Sequence, residues 1–241
     1  SVSPTTAGQN LLDAIAPRFD DIESSLAALV ENRERPAGTI RINASAHAAN
    51  TVLWPKLSKV LPHYPDIKLE ISVDHGFVDI TKGQFDAGVR LGEDVARDMI
   101  AVRIAPDMRL IAVAAPTYLA NNAAPKQPQD LTAHNCINLR LSTHGNLYAW
   151  EFEKNGQALR VRVDGQLTFD STEPIARAAE QGFGIGFVPE DLVADQLQRG
   201  SLVQVLADWC QPFSGFHLYY PSRRQNSPAF RIIVDALRHR D

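Results

Sequence analysis

One stretch constrains the fold more than any other: Gly38–Tyr64, GTIRINASAHAANTVLWPKLSKVLPHY, and the alternating run behind it. Thr39, Ile40, Arg41 and Ile42 follow the breaker cluster Arg35-Pro36-Ala37-Gly38 and read as a short strand. The next residues, Asn43 to Asn50, have almost no bulk. Leu53, Leu57, Val60 and Leu61 then fall on one face of a helix, which Pro62 and Pro65 stop. Ile67, Leu69, Ile71 and Val73 alternate with Lys68, Glu70, Ser72 and Asp74, a half-buried strand. A strand feeding a helix through small residues lets another molecule approach the backbone, where the first helical N–H groups are unsatisfied and partly positive. In an open α/β sheet such a junction faces the ligand crevice. An ordinary connecting loop has the same look, so the stretch alone does not decide between the two.

The rest of the chain repeats the alternation. Short strands are expected at Phe85–Leu91, Met99–Ile104, Leu110–Ala115 and Cys136–Leu141. Trp150–Lys154 and Leu159–Val163, joined by Asn155-Gly156, read as a hairpin. A helix capped by Asp170 or Ser171, with Pro174 in its first turn, runs to Gly182 and Gly184. Strand Ile185–Val188, helix Glu190–Arg199, strands Leu202–Leu206 and Phe216–Tyr220, and helix Ala229–Arg238 follow. This order predicts an α/β protein with mostly parallel sheets. The composition break at Ala115-Pro116 and the late strand at Phe216–Tyr220 suggest two lobes, the chain crossing to the second and returning.

Ahead of this body, Ile15, Phe19, Ile22, Leu26 and Leu29 make an a/d seam on a helix from Gln9 to about Arg33, which Pro17 kinks or restarts. So narrow a seam has no core of its own and is expected to pack on another helix, in the same chain or in a second subunit.

The net charge of −4 argues against a chain that binds nucleic acid by electrostatics alone. No apolar run approaches the ~20 residues of a membrane span. A signal-peptide pattern is also lacking, which makes the cytoplasm the expected compartment. Cys136 and Cys210 read as buried small hydrophobes. Histidines at 47, 63, 75, 134, 144, 217 and 239 show no metal-ligand spacing, so no metal is expected. Gly182-Phe183-Gly184-Ile185-Gly186 resembles a dinucleotide fingerprint, but it ends a helix and opens a strand, the reverse of what that motif needs. A nucleophile–base pair is not evident, so an enzyme is not expected. The helix starts after Ser45 and after Asp170 are the better site candidates; facing each other across two lobes, they would suit a small anion. Arg90 at a strand end and Arg140 in the second lobe are candidates to add charge-assisted bonds, or are plain surface charges.

With these residues in view, the chain resembles the LysR-type transcriptional regulators. SVSPTTAGQNLL and the helix behind it look like the end of a winged-helix domain and the linker helix of that family. RPAGTIRINASAHAANTVLWPKL, FDAGVRLGE, HNCINLRL, YAWEFEKNG, GFGIGFVPEDLV and YYPSRRQNSPAF carry the likeness across the whole chain in the family's order. The resemblance implies two Rossmann-like subdomains with a ligand cleft, of the type 2 periplasmic-binding-protein kind, preceded by a linker helix. Residues 1–36 would be the wing end and dimerisation helix, 37–113 with 219–241 subdomain I, and 114–218 subdomain II. The family's effector loops map onto Ser45, Ala46 and His47, onto His75, onto Arg90, and onto Asp170, Ser171 and Thr172, with Tyr219 at the return crossover. The implied function is effector binding and oligomerisation: a small organic molecule, with no further cofactor, controls DNA binding. Homodimers through the linker helix, and possible tetramers, go with it. The DNA-reading helix of the family is not in this sequence, so the chain alone is not expected to recognise an operator. A periplasmic-type solute-binding protein is the alternative with the same architecture.

Overall fold

The computed structural model describes residues 5–9, 11, 15, 22, 36–73, 85–92, 99–141, 145–222, 224 and 227–240. His75, the short helix expected at Val78–Lys82, His144, and Phe19, Leu26 and Leu29 of the seam lie outside them. Of the seam, Ile15 and Ile22 are helical and exposed in the isolated chain.

The chain falls into two compact units, with crossings at Pro106–Asp107 and Ser214–Gly215. Unit 1 opens on β1 (Gly38–Ala44). The helical segment after it runs as α1 (Ala46–Ala48), a π-helical stretch (Ala49–Leu53) and α2 (Trp54–Val60). A 3-10 turn, Leu61–His63, ends it at the expected prolines. β2 (Ile67–Val73), β3 (Ala87–Leu91), β4 (Met99–Arg103) and, from the far end of the chain, β12 (Phe216–Pro221) complete a five-stranded sheet in the order β2-β1-β3-β12-β4. β1 pairs parallel with β2 and β3; β12 pairs antiparallel with β3 and β4. Helix α6 (Pro228–Leu237) packs on α2 and β1. Ile40, Ile42 and Ala44 are buried, as are Leu53, Leu57, Phe230 and Ile233 of the helices. Arg41 and Asn43 alternate with them and so face the other side of the sheet. Lys56 ties the layers together by donating to Ile104 O and Leu237 O, both at 2.7 Å.

Unit 2 is built on β5 (Leu110–Ala114), β6 (Cys136–Leu139), β9 (Thr168–Phe169), β10 (Ile185–Pro189) and β11 (Val203–Val205), in the order β11-β5-β10-β6-β9. Here β6 pairs parallel with β9 and β10, while β5 pairs antiparallel with β10 and β11. Both sheets are therefore mixed rather than mostly parallel, because strands entering at the crossings run against their neighbours. β5 belongs wholly to unit 2, which puts the first crossing before it and not after Val113. Short helices α3 (Pro116–Leu119) and α5 (Ala194–Gln198) join α4 (Thr172–Glu180), which packs on β10, β6 and β5. The hairpin β7 (Trp150–Lys154) and β8 (Gln157–Val161) turns through Asn155 and Gly156, both at positive φ, the signature of the Asn-Gly turn. It carries Trp150 and Phe152 onto Phe187, at ring separations of 5.2 and 5.1 Å.

Candidate functional site

In unit 1 the polar candidates collect where the parallel strands β1 and β3 end. Ser45 follows β1 in extended backbone and caps α1, its Oγ accepting from Ala48 N at 3.2 Å. Ala46 and Ser45 are half-buried. His47 is buried against Phe216, ring centroids 6.0 Å apart, and its carbonyl accepts from Thr51 Oγ1. The β1–β3 register pairs Asn43 with Gly88, and continuing it sets Ser45 level with Arg90. Arg90 is half-buried; its Nη1 donates to Val89 O at 2.7 Å and its Nη2 to Asn43 Oδ1 at 2.5 Å.

On the next strand, β12, His217 pairs with Arg90 and Tyr219 with Gly88. His217 is buried, and its Nδ1 lies 3.0 Å from Gly215 O; a carbonyl only accepts, so Nδ1 carries the proton. Tyr219 donates its hydroxyl to Gly92 O. Asp86, just before β3, accepts from Arg41 N at 2.7 Å and pairs with Arg224 at 2.9 Å. Asn43, Arg90, His217 and Tyr219 alternate with Ile42, Val89, Leu218 and Tyr220, and so share the sheet face opposite the apolar core.

In unit 2, Asp170, Ser171 and Thr172 stand at the start of α4, beside the ends of β6 and β9. Ser171 holds the N-cap position in extended backbone but makes no side-chain capping bond. The first-turn N–H groups of α4 are thus not closed off by the residue expected to do so. Arg140 is exposed, and its Nη1 donates to Gly145 O at 2.6 Å, which holds it to its own loop. The structure gathers Ser45, Ala46, His47, Arg90 and Tyr219 in one unit, and Arg140, Asp170, Ser171 and Thr172 in the other.

Two residues escaped the sequence reading. Asn43 and Asn138 are buried amides in the middle of strands, 0 % and 2 % exposed. Asn43 Nδ2 and Asn138 Oδ1 each lack a hydrogen-bond partner among the described residues. The signal was present in both cases: an amide, poor at forming strands, interrupts an apolar run in Ile42-Asn43-Ala44 and Ile137-Asn138-Leu139.

Other chemistry is weak. Cys136 and Cys210 are buried free thiols; burial pushes Cys136 up to about 12 and Cys210 in the same direction, which leaves both poor nucleophiles. No group of three or more His, Cys, Asp or Glu able to hold a metal occurs among the described residues. Gly182, at φ +83°, turns the chain out of α4, and Gly186 lies under that helix, so the glycine run serves a turn and a close packing contact. No helix among the described residues is long and apolar enough to cross a membrane.

Residues 33–241 match the family model described as "LysR substrate binding domain". A "Putative transcriptional regulator" of Pseudomonas aeruginosa is 50% identical over 239 residues, covering 99% of this chain and 78% of that protein. The "HTH-type transcriptional regulator PgrR" of Escherichia coli is 38% identical, covering 100% of this chain and 80% of that protein. Among solved structures, the full-length Vibrio cholerae virulence activator AphB superposes with a TM-score of 0.72 at 23% identity, covering 97% of this chain and 78% of AphB. CrgA of Neisseria meningitidis gives 0.69 at 22% identity, covering 97% and 80%. At those identities the structures speak for the fold.

Proposed function

The chain belongs to the LysR-type transcriptional regulators and carries their substrate-binding domain, with its type 2 periplasmic-binding-protein-like fold, and on that premise we propose that it senses a small anionic organic molecule through the strand-end residues of its units. The observation that supports this most is the polar face of unit 1. There Arg90 and Tyr219 share a sheet face near the ends of β1 and β3, Ser45 follows β1 level with Arg90, and His47 is buried close behind it against Phe216. A guanidinium held at a strand end offers paired donors to a carboxylate. Asp170, Ser171 and Thr172 at the start of α4, and Arg140, are proposed as ligand-binding residues within unit 2; His75 joins the proposed set by family position.

The protein works as a binding module without catalysis or cofactor. Ligand arrival shifts a conformational equilibrium that is felt through the helix at the front of the chain, where Ile15 and Ile22 lie exposed in the single chain and meet a second copy in a homodimer. DNA is read by a winged-helix domain belonging to the intact regulator, in the cytoplasm.

The test is calorimetry and thermal shift with a panel of organic acids and aromatics on the wild type, Arg90→Ala, His47→Ala and Thr172→Ala. A ligand that stabilises the wild type should lose affinity in Arg90→Ala and in His47→Ala. A ligand that binds all three variants as it binds the wild type would refute this site.

A further inference from the structure

The polar face of unit 1 holds a buried donor, on Asn43, that no described residue accepts from. Asn43 is fully buried, and its Oδ1 accepts from Arg90 Nη2 at 2.5 Å. That bond fixes which way round the amide sits, because the reverse orientation would set N–H against N–H. Nδ2 is then left buried, with no acceptor among the described residues. The register shows why. The neighbours of Asn43 across the sheet are Ser72 on β2 and Gly88 on β3. Gly88 has no side chain, and the Ser72 hydroxyl makes no bond to the amide. A buried donor left unmade destabilises a fold, and an apolar residue in the same strand would avoid that cost. Positioning Arg90 needs only the oxygen of Asn43; it gives no use for the nitrogen.

We propose that Asn43 is a specificity-determining residue of the unit-1 site: its Nδ2 donates to the same ligand carboxylate that the Arg90 guanidinium binds. This rests on the reading of unit 1 as a ligand site and goes further, in naming the group recognised and a residue that selects it. The geometry suits the assignment. Nitrogen and oxygen of a planar amide lie about 2.3 Å apart, so with the 2.5 Å bond to Nη2 the two donor nitrogens stand within about 5 Å of each other. The two oxygens of one carboxylate span that separation, with both hydrogen bonds near ordinary length. A primary amide in the same place presents one oxygen and one NH2, and the NH2 would face a donor. The site therefore discriminates a carboxylate from its isosteric amide, the kind of selectivity that arises when a wrong ligand leaves buried polar groups unpaired.

The experiment uses the full chain with 15N-labelled asparagine side chains and amide backbone. Acetate, succinate, benzoate and salicylate are titrated beside their primary amides. The expected result is that a carboxylate which moves the backbone resonances of Ser45 and His47 also moves the Asn43 side-chain NH2 downfield, while its amide binds about tenfold or more weakly. Asn43→Asp keeps an oxygen for Arg90 but removes the donor; it should weaken the carboxylate by about tenfold or more and erase its advantage over the amide. If Ser45 and His47 respond while the Asn43 NH2 stays still, the site stands and the role given to Asn43 is overturned, a fixed water then being its partner. If no probe moves Ser45 or His47, the unit-1 ligand site is itself overturned. The side-chain resonance is read in the wild type, so the outcome does not depend on the variant folding.

Discussion

How firmly α4 is seated on its sheet can be tested at Gly186. A Cβ built there would lie 2.9 Å from Ile175 Cγ2 and 3.3 Å from Ala179 Cβ. Ordinary carbon contacts are roughly 3.5–4.0 Å, so the methyl of Gly186→Ala demands a displacement of about 0.6–1 Å. Ile175 and Ala179 are both fully buried, which leaves no slack. Overpacking of this kind costs roughly 1–3 kcal/mol. Gly186 is not among the positive-φ residues, so the restriction that alanine places on the unfolded chain returns about 0.4–1 kcal/mol. The net expectation is a loss of about 1–2 kcal/mol, a fall in Tm of roughly 2–8 °C for a chain of this size. Urea and thermal unfolding followed by circular dichroism would measure it, alongside Ile175→Leu, an isomeric change that removes the Cγ2 branch. The double variant should recover about 1 kcal/mol or more beyond additivity. A neutral Gly186→Ala, or strictly additive variants, would refute the packing argument. The same displacement moves Thr172 at the head of the helix, so on the role proposed for Thr172 ligand affinity is expected to fall in Gly186→Ala and to return in the double variant.

Further outcomes are expected. Lys56→Met removes the bonds to Ile104 O and Leu237 O and should cost about 2–3 kcal/mol in urea unfolding, since it strips a charged donor from two carbonyls. Glu180 is held below its ordinary 4.5 by hydrogen bonds from Ser201 and then Arg199. Its contribution is therefore present above pH 4.5 and lost as the pH falls through the lower folded value, so the gap in urea midpoint between wild type and Glu180→Gln should be open near neutrality and close on acidification. With its thiol pushed up to about 12 by burial, Cys136 should resist a thiol reagent in the native protein and react fully in denaturant; fast native labelling would contradict the buried placement. Removal of residues 1–36 should lower the number of chains per particle seen by light scattering, and an unchanged oligomeric state would take the contact away from the front helix.

Much of the fold was legible because its strands and helices obey simple periods. Leu53 and Leu57 sit on the buried helix face as their spacing demands, and the Asn155-Gly156 hairpin turns where expected. What the sequence concealed was strand direction and pairing. Nothing local in Phe216–Pro221 says that it runs against both neighbours in a sheet begun some 170 residues earlier, at Ala44 and before. Ser171 stands at the N-cap by residue type, yet its hydroxyl does not close the turn, and only coordinates reveal that. Of the proposed site, the strand-end places of Ser45 and Arg90 were readable from the sequence, whereas the bond between Asn43 and Arg90 was not, because it depends on which strands lie side by side.

The place of β12 between β3 and β4 fixes an order of events during synthesis. A ribosome delivers β1 to β4 first, but these cannot close into one sheet until a strand more than a hundred residues downstream has emerged. Residues 107–214, by contrast, leave the exit tunnel as one uninterrupted piece carrying all of the second sheet. The inserted half is therefore free to mature ahead of the half that encloses it in sequence. A nascent chain stalled before Phe216 should hold a finished second unit beside an unfinished first one, its β3 edge exposed and a natural point for chaperone capture.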